Sequence, residues 1–329
     1  MKRLPRLPAA LLRGIAAGLS PGGARAALLV LSFHRVLADR DPMLPDEPDA
    51  ARFAAQLDAI ADLFRIVDLA DAVARLGNGT LPPRCAAITF DDGYANNCEI
   101  AAPLLGARGM TATFFITTGF LDGSTMWNDI VIESLRVAPQ SLDLRQPGLG
   151  LWPLPDWQAR REAVDRLLGS LKYLDPDERL RQARCIAAAA GWQPTTRPMM
   201  LPRDIRRLAS MGMAIGAHTV THPILGRLPD AAARREIVDG KETLESLLGA
   251  PVRSFAYPNG RPNQDYARRH VEMVRNAGFE VGVSTGWGAC TPNCDPFQVP
   301  RVAPWGRNAL RLGLGLLRAQ TQRHPDQVA

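Results

Sequence analysis

Apolar residues recur along this chain in two rhythms. Short apolar runs, each bounded by Gly, Pro or polar turn residues, occupy 27–33, 86–90, 112–117, 213–217, 252–256 and 281–285. Runs of that length and setting predict strands buried on both faces. Between them, apolar positions return every three or four residues over 51–63, 97–108, 202–211, 229–248 and 264–277, which predicts amphipathic helices. In the fourth of these, Asp230, Glu236 and Lys241 read as an ordinary solvated charged face. Strand and helix alternating this often imply parallel strands joined by crossover helices. The fold class is therefore α/β, as a barrel or an open doubly wound sheet.

The alternation breaks over about 121–200, where Arg, Leu and Ala dominate and Pro147, Pro153, Pro155, Pro176 and Pro194 punctuate. This reads as a largely helical insertion, either a lid or wall of a substrate groove or a packed surface excursion. At the other extreme, residues 1–26 are basic. The first 25 residues carry Lys2, Arg3, Arg6, Arg13 and Arg25 and no acidic residue. Leu11, Leu12, Ile15 and Leu19 fall at helical spacing, so the segment predicts a short amphipathic helix lying on a membrane surface or on the domain. Arg13, Gly14 and Gly18 interrupt what would be the apolar stretch of a signal peptide. No run reaches the length of a membrane-spanning helix. Residues 306–329 read as a tail.

Composition changes this picture little. The 329 residues are 46% hydrophobic and 22% charged with a net charge of +6, a globular balance. No nucleic-acid-binding motif accompanies the basic excess. Cys85, Cys98, Cys185, Cys290 and Cys294 are odd in number and irregularly spaced, so they are not a disulfide framework. Cys290 and Cys294 would make half of a metal clip, but no second pair matches them. Ordinary thiols favour a reducing compartment, and the expected location is cytoplasmic, with peripheral membrane contact through the N-terminal segment.

The candidate chemistry clusters at predicted strand ends, where parallel α/β folds bind ligands. Thr89-Phe90-Asp91-Asp92-Gly93-Tyr94 runs a strand into two adjacent carboxylates and a glycine. One carboxylate can bind a cation while the other takes a proton from water; Asp-Asp-Gly is equally a good turn. His218-Thr219-Val220-Thr221-His222 follows another strand, and histidines at i and i+4 face the same way if the segment turns helically. Two imidazoles and one carboxylate give three metal ligands and leave positions open for water and substrate. Phe255-Ala256-Tyr257-Pro258-Asn259-Gly260 is a rigid turn whose backbone N–H groups can face a developing oxyanion. His34, in Ser32-Phe33-His34-Arg35, ends the first predicted strand.

The Asp-Asp, His-x-x-x-His and Tyr-Pro-Asn-Gly segments, in that order, resemble the first three motifs of the polysaccharide deacetylase family (the NodB homology domain, carbohydrate esterase family 4). The resemblance covers most of 27–305. It implies a distorted (β/α) barrel with Asp92, His218 and His222 as ligands of a divalent metal, Zn²⁺ above all, with Co²⁺ or Ni²⁺ as alternatives. It further implies Asp91 as catalytic base and the Asn259 backbone N–H as oxyanion donor. The implied activity is removal of N-acetyl groups from an amino-sugar polymer or oligomer. The family's Asp-x-x-Asp-Trp and C-terminal Leu-x-His motifs are missing, and Ala256 stands where the family carries Arg. Ser32-Phe33-His34-Arg35 resembles relatives that place the acid histidine near the N-terminus, so His34 is expected as general acid and Arg301 to take the arginine's part. Two other readings stay open: action on a different amide or ester, and saccharide binding without catalysis.

Overall fold

The computed structural model describes residues 6–304, 306, 308–323 and 326–328. Residues 1–5 with Lys2 and Arg3, and His324, lie outside the described residues. In chain order the elements are α1 (Arg6–Leu19), β1 (Leu29–Phe33), α2 (Ala50–Leu63), β2 (Arg65–Ile66), α3 (Leu69–Gly77), β3 (Cys85–Phe90), α4 (Ala102–Gly106), β4 (Thr113–Ile116), α5 (Trp127–Val137), β5 (Ser141–Leu144), β6 (Gly150–Pro153), α6 (Trp157–Leu171), α7 (Pro176–Ala190), α8 (Pro202–Ser210), β7 (Ala214–Ala217), α9 (Asp230–Leu248), β8 (Ser254–Ala256), α10 (Arg268–Asn276), β9 (Val281–Val283) and α11 (Ala309–Thr321). Two compact units divide the chain: 40–46 with 122–199 forms one, and the remainder the other.

In the larger unit every strand pairing is parallel, in the order β1-β3-β4-β7-β8-β9 with β2 added on β3. Val299 bridges β9 and Val302 bridges β1, so the 299–302 segment joins the last strand to the first. The result is a distorted (β/α) barrel. Residues alternate across each strand. Leu29, Leu31 and Phe33 of β1, Ile88 and Phe90 of β3, and Phe114 of β4 share a core with α1, α2, α4 and α8 to α11, whereas Val30, Ala87, Phe115, Ala256 and Val283 belong to an inner layer that only α3 joins among the described helices.

The register sets up the site. Phe33 pairs with Phe90 and Phe90 with Phe114, and their rings stack at 5.3 and 4.8 Å, with Phe53 of α2 edge-on to Phe33 at 5.2 Å. Each ring buried this way contributes roughly 1.5–3 kcal/mol. His34 follows Phe33 and Asp91 follows Phe90, so this aromatic row holds the first residues beyond β1 and β3 side by side.

The smaller unit has its own core from α5, α6, α7 and the antiparallel β5–β6 hairpin. Arg136 ties the 40–46 segment to α5 through a two-pronged bond to Asp41, both contacts at 2.7 Å. The stretch read as largely helical thus also contains a hairpin, which its Gly-Leu-Gly turn region did not announce.

The segment after 305, read as a tail, contains helix α11. Leucines at 310, 312, 314, 316 and 317 with Gly313 and Gly315 suit no single helical stripe. Gly313 instead makes room: a Cβ there would lie 3.1 Å from Leu63 and 3.2 Å from Leu12.

His270 of α10 carries a pH dependence. It is fully buried, and its Nδ1 accepts from Ala267 N–H at 2.9 Å. That fixes the ring proton on Nε2, which has no partner among the described residues. Burial, aided by the charge of Arg269, pushes its pKa down to about 4. The folded chain therefore binds fewer protons here than the unfolded chain between the ordinary histidine value and about 4. Stability is fully present above that window and falls as pH drops through it. The expected loss is on the order of 1–3 kcal/mol, read as the urea midpoint at pH 7.5 against pH 4.5. His270→Asn, an acceptor that does not titrate, should flatten that difference.

Candidate active site

Two adjacent carboxylates beyond β3 have different partners. Asp92 faces imidazoles: its Oδ1 lies 3.5 Å from His218 Nε2 and 3.4 Å from His222 Nε2. One ligand atom from each of the three residues lies within 4.8 Å of the others. Asp92 and His218 are buried and His222 partly so. The Nδ1 of His218 is 2.7 Å from the Ala256 carbonyl. Because a carbonyl only accepts, Nδ1 carries the proton, and Nε2 presents its lone pair toward Asp92.

The expected helical turn of His218–His222 is absent. The segment is a loop in which Thr219 and His222 have φ of 66° and 56°, and these left-handed residues bring the imidazoles together. Asp92 (74°) and Asn259 (59°) share that conformation, so four of the six described non-glycine residues with positive φ lie in the predicted motifs. For a β-branched residue such as Thr219 this costs about 1–3 kcal/mol. The surroundings hold it there. Thr118 N–H donates to Thr219 O at 3.2 Å and Gly119 N–H to Val220 O at 2.7 Å.

Glu236 of α9 completes the brace. One carboxylate oxygen accepts from Val220 N–H and Thr221 N–H, both at 2.8 Å, and the other from Thr221 Oγ1 at 2.7 Å. Glu236 is thus the anchor of the histidine loop rather than part of a solvated face. One turn further on, Gly240 lets α9 approach, since a Cβ there would sit 3.2 Å from the Thr219 backbone. A glycine inside a helix costs up to about 1 kcal/mol relative to Ala, and that oddity was the available signal for this contact.

Asp91 faces a cation. Arg301 grips it with both terminal nitrogens, Nη1–Oδ1 at 2.6 Å and Nη2–Oδ2 at 2.7 Å. The guanidinium also donates to Ser284 O and Thr89 Oγ1 at 3.1 and 3.3 Å and lies over the Phe115 ring at 5.7 Å. Ala256, where the family carries Arg, belongs to the same inner layer as Phe115. Both partners of the pair are at least 96% buried. Burial alone would raise the Asp91 carboxyl; the charge of Arg301, then that of His218, outweighs it and holds the pKa below the ordinary value. When the two imidazoles are protonated, Asp92 is likewise held low against burial, by hydrogen bonding from His218 and the charge of His222.

His34 Nε2 lies 4.0 Å from Asp91 Oδ2, with about half of the side chain exposed. Arg35 beside it covers the Tyr94 ring at 3.7 Å and donates its N–H to Glu47 Oε2 at 3.4 Å. Burial raises the Glu47 pKa, while the charges of His34 and Arg35 draw it back. Glu47 was not singled out from the sequence, because nothing in the loop after β1 fixes its path. Asn259 stands beyond β8, next to the strand that delivers His218.

The residues present fit a metal ion. Ligands about 2.0–2.1 Å from a tetrahedral ion stand about 3.3–3.4 Å apart, close to the two Asp92–imidazole separations. One carboxylate and two imidazoles are the donor set of open, catalytic divalent sites. The five cysteines are free thiols and none belongs to this cluster.

Comparisons with known proteins bear on the family and the fold. A family profile for polysaccharide deacetylase matches residues 78–282. YxkH of Bacillus subtilis (strain 168) is 20% identical over 219 residues, 67% of this chain, and the chain spans about half the length of that relative (51%). Among solved structures, the Streptococcus pyogenes deacetylase PplD in complex with acetate superposes with a TM-score of 0.61 at 15% identity, covering 90% of this chain and 98% of that one. IcaB from Ammonifex degensii gives 0.57 at 20% identity, covering 88% and 97%. At these identities the structural likeness speaks for the fold.

Proposed function

This chain belongs to the polysaccharide deacetylase family, and from that premise we propose that it is a metal-dependent hydrolase that removes N-acetyl groups from an amino-sugar-containing saccharide. One observation carries the reading: Asp91 and Asp92 are neighbours in sequence, yet one is committed to Arg301 and the other to two imidazoles. That split separates a base from a ligand.

A divalent ion held by Asp92, His218 and His222 would supply Lewis acidity, making a water more acidic and polarising the acetamide carbonyl. Asp91 accepts the proton of the attacking water. Arg301 keeps that carboxylate ionised and fixed in direction. The Asn259 N–H donates to the carbonyl oxygen as negative charge develops on it. The new C–O bond forms, the C–N bond breaks, and His34 donates a proton to the departing sugar nitrogen, leaving acetate and a free amine. Its half-exposed position beside Asp91 suits a group that must reach a bound substrate and recover its proton from water.

The test is acetate release from a panel of N-acetylglucosamine oligomers by protein loaded with Zn²⁺, Co²⁺ or Ni²⁺, with free amine measured in parallel. Equal yields of the two are expected. Absence of both with metal bound would overturn the reading, and acetate released only from an O-acetylated sugar added to the panel would point to an ester. His34→Ala should lower kcat by about 100- to 10,000-fold without changing metal content.

A further inference from the structure

Helices α1 and α11, from opposite ends of the described chain, pack against each other. Leu12 of α1 lies over Gly313 of α11, and the Arg323 side chain bonds the Leu19 carbonyl. Each helix buries one side: Ala9, Leu12 and Ala16 on α1, and Leu312, Leu316 and Leu317 on α11. A helix on a globular surface ordinarily turns charged and polar residues outward from such a seam. These two do not. Leu11 and Ile15, one turn apart on α1, are 67% and 43% exposed; Leu310 and Leu314, one turn apart on α11, are 46% and 50% exposed. Trp287, also exposed, lies 5.8 Å from the Arg318 guanidinium of α11. These five are more than half of the nine large hydrophobic side chains exposed among the described residues. The helices that carry four of them are only 14 and 13 residues long. Apolar rows concentrated this way mark a surface that meets something.

Charge says what. Neither helix contains an acidic residue, and α11 carries Arg311 and Arg318 on its exposed side. The first 25 residues bear five basic side chains and no carboxylate. Leucine and isoleucine rows bordered by arginine, with no acid between them, complement a surface that is apolar beneath and anionic above. No helix among the described residues is long and apolar enough to cross a membrane, so this face would rest on one.

We propose that α1 and α11 together form a docking face for an anionic lipid bilayer. Leu11, Ile15, Leu310 and Leu314 enter the headgroup boundary, and Arg311 and Arg318 pair with lipid phosphates. The inference does not depend on the catalytic reading.

The test is flotation of the full chain with vesicles of phosphatidylcholine containing phosphatidylglycerol, against pure phosphatidylcholine. Binding to the anionic vesicles should exceed binding to the neutral ones by about tenfold or more and weaken at high salt. Leu310→Gln with Leu314→Gln, and separately Arg311→Gln with Arg318→Gln, should each lower it about tenfold while leaving the thermal melt in place, since all four side chains are exposed. Equal binding to both vesicle types, binding to neither, or unchanged binding by both variants would overturn the proposal. So would a dimer in sedimentation that the leucine pair abolishes without any vesicle binding, which would make the face a contact between copies of this chain.

Discussion

Asp91→Asn is expected to cut acetate release by about 100- to 10,000-fold while metal content stays at the wild-type level. The amide keeps the shape of the carboxylate but cannot take up a proton, so the loss falls on the chemical step. The same substitution leaves the Arg301 charge buried without its counter-charge. Removing one partner of such a pair costs about 3–5 kcal/mol, so the thermal midpoint should fall as well. Arg301→Met separates the two effects. It leaves Asp91 in place but removes the charge that outweighs burial. The Asp91 pKa then rises, and because the ionised form is the working one, the acidic limb of the kcat/KM profile should move to higher pH. An unchanged limb in Arg301→Met, or an active Asp91→Asn, would remove Asp91 from the role of base.

His218→Ala and Asp92→Ala are the second pair with large consequences. Each deletes a ligand, so bound metal measured by mass spectrometry after dialysis should fall from about one ion per chain to background. The loss should exceed the roughly 10- to 100-fold effect of an outer partner on metal affinity. His218→Ala also frees the Ala256 carbonyl, and Asp92→Ala keeps a Cβ at the positive φ of residue 92, where only glycine is free of strain. The two should therefore agree on metal content. Full metal content in both would show that these three residues are not the site.

Much of this was legible from the sequence for identifiable reasons. Strands buried on both faces leave uninterrupted apolar runs; β1, β4, β7, β8 and β9 each fall inside a predicted one, and β3 exceeds its own by Cys85 alone. Helix α10 begins at Arg268, four residues later than the apolar rhythm suggests, because Pro262 and Tyr266 bridge in a turn first. Helix α3 is nine residues long and went unread beside the two-residue β2. The histidine pair was legible as a pair, but its geometry was not. Left-handed Thr219 and His222 depend on a hydrogen-bonding partner sixteen residues away on α9, and nothing local to the loop encodes it. Arg301 was reachable only by asking what replaces the residue lost at Ala256. Its bond to Asp91 spans 210 positions, far beyond any periodicity.

That separation sets the order in which the site can be made. During synthesis, Asp91 emerges long before the residue that neutralises it. At about 5–20 residues per second, the wait is roughly 10–40 s. Until then its carboxylate has reason to stay in water, and the inner layer of the barrel cannot close around it. The matched family region ends at 282, with Arg301 beyond it. A chain cut at that boundary would keep the base and all three metal ligands and lack the charge that lets the base be buried. The 299–302 segment thus acts as the latch of a site whose other parts were laid down much earlier.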